Sequence, residues 1–136
     1  MAQTQVLCTE GFTELGKLLA GEAATALKAV FCMEGTCTVS AASTFANPGT
    51  AATKIAGNGL NQADADTVVS STTTVTDDTA ELDHVFTASG TETVTGFGVT
   101  NDDDDVLYGE VCLNAGVAME SSDTLTVEFK IQFKAD

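Results

Sequence analysis

Thr124-Leu125-Thr126-Val127-Glu128-Phe129-Lys130-Ile131-Gln132-Phe133 alternates between polar and apolar residues without a break. Successive side chains of a β-strand point to opposite faces. Leu125, Val127, Phe129, Ile131 and Phe133 therefore share one face, and Thr126, Glu128, Lys130 and Gln132 share the other. A strand with one apolar and one wet face belongs in an antiparallel sheet that covers a core on one side. The apolar five are the expected core or assembly face.

Working back from this segment, similar runs recur at near-regular spacing. Val68 to Thr76 is rich in β-branched residues, Glu81 to Ala88 carries Leu82, Val85 and Phe86, and Thr91 to Thr100 alternates around Val94, Phe97 and Val99. Asp105 to Cys112 adds Val106, Leu107 and Tyr108. Polar turn signals separate these runs at Thr76-Asp77-Asp78, Ser89-Gly90, Asn101 to Asp105 and Ser121-Ser122-Asp123. Short strands spaced in this way predict a mainly β chain, an antiparallel sandwich or jelly-roll-like domain. No fixed-period repeat is evident.

The first half reads differently. Thr9 can cap a short helix in which Phe12, Leu15, Leu18 and Leu19 recur at helical spacing and Gly21 ends the segment. Gly11 and Gly16 each weaken such a helix by about 1 kcal/mol relative to Ala, so packing against a sheet must hold it. Ala26 to Met33 predicts a largely buried strand with Leu27, Ala29, Phe31 and Met33 on one side. Residues 35–66 are rich in Ala, Thr, Ser, Gly and Asn, with breaks at Asn47-Pro48-Gly49 and Gly57-Asn58-Gly59. A segment of that length is expected to be a contact arm or to hide short strands that propensity does not reveal. The whole, residues 1–136, is expected to be one domain.

Composition excludes several functions. Five Lys and no Arg stand against 20 Asp and Glu, a net charge of −15. Such a chain repels phosphate, which argues against direct nucleic-acid binding and against docking on anionic lipid. With 43% hydrophobic residues it is too apolar to be an acidic disordered tail. The opening residues show no basic and apolar leader, and no apolar run approaches the ~18 residues of a membrane span, so synthesis in the cytosol without signal-directed export is expected.

The chemically suggestive residues point to no reaction. Asp102 to Asp105 could attract calcium, but consecutive aspartates lack the alternating ligands, central Gly and closing Glu of an EF-hand loop, and the run is expected to be a solvated turn. Asp64 and Asp66 form a lone pair of carboxylates without a third ligand. Asp83 and His84 are neighbours in a strand and point to opposite faces, so they should not share a site, and His84 is expected at a surface or an edge. No nucleophile elbow, zinc-peptidase motif or phosphate-binding loop is present, and neither metal nor cofactor is expected. The cysteines are Cys8, Cys32, Cys37 and Cys112. Cys32 and Cys37 flank Gly35 in a turn and could form a disulfide in an oxidising medium. The alternatives are buried free thiols and a metal site.

The order and spacing of Thr74 to Ala80, Phe86 to Thr91, Val94 to Val99, Val106-Leu107, Asp123 to Val127 and Lys130 to Phe133 resemble small virion proteins of tailed phages. Gly11 to Gly21 is similar to their opening helix. The chain departs from them in its cysteines and in Cys32 to Lys54, where similar proteins carry a plainer Gly and Thr turn. The resemblance implies a non-enzymatic structural protein, a capsid decoration or cement protein on the capsid exterior, with copies of itself, as a homotrimer, and the major capsid protein as partners. A tail, fibre or host-adhesion module and a cellular carbohydrate-binding or surface-layer domain are the other readings.

Overall fold

The computed structural model describes residues 2–134, and these form a mainly β, sandwich-like domain with one short helix. The strands are β1 (Gln3–Leu7), β2 (Leu27–Glu34), β3 (Thr53–Lys54), β4 (Ala63–Asp64), β5 (Thr67–Ser71), β6 (Thr79–Thr87), β7 (Glu92–Asn101), β8 (Leu107–Met119) and β9 (Thr124–Gln132), and the helix α1 (Thr9–Ala20) follows β1. The larger sheet has the order β1-β8-β7-β2-β3, with β4 also paired to β2, and the smaller sheet has the order β5-β6-β9. All these pairings are antiparallel.

The alternation at the carboxyl-terminal end sets the inner face of the smaller sheet. Val127, Phe129 and Ile131 are buried in the core between the sheets and Leu125 packs against it. Val30, Cys32, Val94, Phe97, Val99 and Val111 meet them from the larger sheet. Phe133 lies beyond the end of β9 and is 52% exposed, so the fifth residue of the apolar series is a surface residue.

β2 is buried on both faces, which explains its nearly continuous apolar sequence. Val30 and Cys32 face the smaller sheet, while Phe31 and Met33 join Cys8 and Leu107 in a second cluster on the other side of the larger sheet. The excursion over residues 35–66 lids that second cluster with its first part and sends Ile55 and Leu60 into the core between the sheets. It is no free arm: it contributes Phe45 and Ala52 to the cluster and lays β3 and β4 along β2. Lys54 anchors it further, donating to the Phe45 carbonyl at 2.9 Å with its ammonium 3.3 Å from the Phe45 ring centroid.

Three boundaries differ from the sequence reading for identifiable reasons. β1 was not anticipated; its mostly polar residues pair with β8, from Gln3 opposite Leu113 to Leu7 opposite Gly109. β5 stops at Ser71 because the Asp78 carboxylate gathers the backbone N–H groups of Thr73, Thr74 and Val75, which turns the chain away from the ladder. β8 runs on to Met119 by bulging between Cys112 and Val117, where its register against β7 shifts.

Candidate functional site

Helix α1 presents an unexpected face to the sheet. Cys8 occupies its cap position without a side-chain cap bond, so Thr9 is the first helical residue and not the cap. The Thr9 N–H donates instead to the Ala41 carbonyl of the excursion. Gly11 rests on Tyr108 so closely that a Cβ there would stand 2.6 Å from the Tyr108 Cα and carbonyl oxygen. Glu14, one turn further, is also buried and accepts from the Thr25 N–H at 2.9 Å. Gly11, Glu14 and Leu15 thus form the inward stripe, and Leu18, next along that face, is 38% exposed. Phe12, Gly16 and Leu19 form the neighbouring stripe, and Phe12 and Leu19 are 58% and 89% exposed. Phe12 and Leu19 are left to solvent because two of the inward positions are taken by a close backbone contact and a carboxylate.

Buried and partly buried carboxylates tie the excursion to this frame. Glu110 on β8 is 0% exposed and accepts from the Ser40 N–H at 2.8 Å, the Ser43 hydroxyl at 2.7 Å and the Gly49 N–H at 2.7 Å. Glu10 accepts from the N–H groups of Phe45 and Leu107. These hydrogen bonds satisfy backbone donors that a loop packed on a sheet would otherwise leave unpaired. Their role is structural.

Leu15 and Leu18, adjacent to the exposed stripe on α1, border a groove of about 410 Å³. Leu15 and Leu18 form one wall, and Val68, Val69 and Phe133 contribute to the other. β5, which supplies the two valines, is one of the two edge strands of the smaller sheet and is exposed along nearly its whole length. Taking about 150–250 Å² for a full aromatic side chain and somewhat less for Leu and Val, the exposed parts of Leu18, Val68 and Phe133, with Phe12 and Leu19, amount to roughly 450–550 Å², leaving out Val69, which lies opposite Glu81 on the wet face of the sheet. That is the upper end of the largest apolar patch on an ordinary monomer.

The other candidates separate or are already occupied. The sequence reading offered Cys32–Cys37 as one possible disulfide, beside buried free thiols and a metal site. The structure corrects this: Cys37 bonds to Cys112, with their Cα atoms 5.5 Å apart. Cys32 points into the core between the sheets, whereas Cys37 lies on the opposite side of the larger sheet with the second cluster. Gly96 on β7 makes room for the bridge, since a Cβ there would stand 2.7 Å from the Cys37 sulfur. Cys8 and Cys32 are free and buried, and burial pushes both thiols up to about 12, with the charges of Glu110 and Glu10 adding to the effect at Cys8. Thiols held protonated in this way are not nucleophiles.

Asp102 to Asp105 close their own turn. Asn101 accepts from the N–H groups of Asp105 and Val106 and donates to the Asp105 carboxylate. Lys28 pairs with Asp102 at 2.7 Å, and Gln62 donates to Asp104 at 2.6 Å. Asp64 faces Lys28 and Asp66 faces His84, so this pair diverges. Asp83 takes the Thr67 hydroxyl, apart from His84. His84 is not a surface residue: it is mostly buried, edge-on to Phe86 at 4.5 Å, with Nδ1 3.2 Å from Asp66 but unaligned for a hydrogen bond. Among the described residues no group of three or more His, Cys, Asp or Glu side chains is placed to hold a metal ion, and no helix is long and apolar enough to cross a membrane.

Comparisons with protein-family models, with curated proteins and with solved structures return no match. The apolar surface of α1, β5 and Phe133 is the feature from which a function can be argued. Helical spacing identified its residues on α1 but could not show which way they face.

Proposed function

We propose that this protein is a structural component of a larger assembly, a capsid decoration protein that oligomerises on the outer surface of a virion and stabilises contacts between capsomers. One observation carries the reading: a chain of net charge −15 leaves exposed apolar side chains on α1, β5 and Phe133 beside an apolar groove while placing carboxylates in its interior as backbone anchors. An acidic exterior keeps a dense lattice of particles soluble and apart. The largest apolar patch of a monomer is often a functional surface, and contact with a partner is the use this one suits. The two sheets and the disulfide-tethered excursion give that surface a rigid backing, which limits the entropy lost on assembly.

The test is copy number and position. Protein quantified from purified particles should be present in hundreds of copies, should be labelled over the head in micrographs, and should rebind to stripped heads. A few copies confined to the tail, or no association with particles, would overturn this reading.

A further inference from the structure

We infer that the apolar surface is a self-complementary interface on which two copies of this chain pair about a two-fold axis, the Leu19 side chain of each copy entering the groove between α1 and β5 of the other. The inference deepens the assembly proposal by naming the partner of this surface, and it rests on that proposal only in treating the surface as a contact.

Three observations select a second copy as the occupant. The first is charge. Two chains of −15 repel wherever their acidic surfaces approach, so copies can meet only where that charge is absent. Among the described residues Asp77 is the one charged residue lining the groove, and the exposed stripe Phe12, Gly16, Leu19 carries none. A basic partner would gain nothing from so neutral a patch in an otherwise acidic protein.

The second observation is shape. A two-fold interface places the same patch on both sides, so that patch must contain a projection and a recess together. Leu19, 89% exposed, stands one position from Leu18 and one helical turn from Leu15, both of which line the groove. A projection beside its own recess suits reciprocal insertion about a two-fold. A closed ring would instead need the two on separate flanks of the molecule.

The third is area. The roughly 450–550 Å² of exposed apolar surface, with the polar rim that closure adds, approaches the ~800 Å² that each partner buries in a standard interface. The arrangement differs from the trimer implied by the sequence resemblance, and a mass measurement separates them.

Sedimentation equilibrium of the full chain over a concentration series should show reversible monomer–dimer association that tightens as salt screens the acidic exteriors. Leu19→Asp, at a position too exposed to affect folding, should weaken association at least tenfold, and Leu19→Met should retain it. Val85→Asp adds the same charge on β6 outside the groove and should leave association within about twofold of wild type, allowing for general repulsion. Circular dichroism verifies that each variant is folded. A chain that stays monomeric at every concentration and salt, a trimer, or a dimer indifferent to Leu19→Asp would overturn the inference. A monomer that still coats heads would remove the two-fold pairing and leave the decoration proposal standing. A dimer lost in Leu19→Asp that never binds heads would do the reverse.

Discussion

Removing the Cys37–Cys112 bond should destabilise the protein strongly while leaving its folded shape intact. The two cysteines are 75 residues apart in sequence. In the chain-entropy description, closing a loop of that length stabilises the folded state by about 4.5 kcal/mol at 25 °C, through restriction of the unfolded chain. The native contacts around the bridge do not depend on it: Glu110 still accepts from Ser40, Ser43 and Gly49, and β3 still pairs with β2. The double variant Cys37→Ser/Cys112→Ser should therefore fold, with an unfolding free energy lower by about 3–4.5 kcal/mol in urea. At about 2.1 cal/mol/K of unfolding entropy per residue, this corresponds to a melting temperature lower by roughly 10–16 °C. Reductant should bring wild type onto the double variant and should not affect the double variant itself. Cys32→Ser should keep the full response to reductant. A wild-type urea midpoint unmoved by reduction, or a response abolished by Cys32→Ser, would refute the assigned pairing.

Glu110→Gln places an amide NH2 where two backbone N–H groups and a hydroxyl converge, leaving at least one buried donor unpaired, and should lower stability by about 2–4 kcal/mol in urea titration. Gly11→Ala should destabilise by about 1–3 kcal/mol despite the better helix former, because its Cβ meets the Tyr108 backbone. Gly16→Ala meets nothing within 4 Å and should stabilise by up to about 1 kcal/mol, both changes read from thermal melts. Hydrogen bonds from Gln132 and from the N–H groups of Thr73, Val75 and Thr74 hold the Asp78 carboxyl well below the usual carboxylate range. A carboxylate depressed on folding contributes stability above its unfolded value, near 4, and loses it as the pH falls toward the folded value. The gap in melting temperature between wild type and Asp78→Asn should thus be full at neutral pH and close progressively below about pH 4.

The parts of the fold written in short-range pattern were legible in the sequence. The alternation over Leu125, Val127, Phe129 and Ile131 located the inner face of the smaller sheet, and the unbroken apolar run of β2 announced burial on both sides. Three features were not legible because they depend on partners far away in the chain. Phe12 and Leu19 have the spacing of a core stripe, but the close approach of Gly11 to Tyr108 and the burial of Glu14 rotate them outward. The excursion has little strand propensity and is held by side-chain carboxylates of Glu10 and Glu110, from 35 to 70 residues away. The disulfide joins neighbouring layers, so proximity in sequence favoured Cys32 although strand alternation sends it to the other face. Gly96, directly beneath the bridge, marks where the disulfide crosses β7, as Gly98 marks the crossing of Phe31.

Amide hydrogen exchange, followed from dilute to concentrated protein, tests the assembly face most directly. Protection that rises with concentration in Thr9–Ala20 and Thr67–Ser71, and stays constant in Gln3–Leu7 and Thr124–Gln132, is the expected result. Protection that gathers instead along the free edges of β1 and β9, with α1 and β5 unchanged, would contradict an assembly built on the apolar surface.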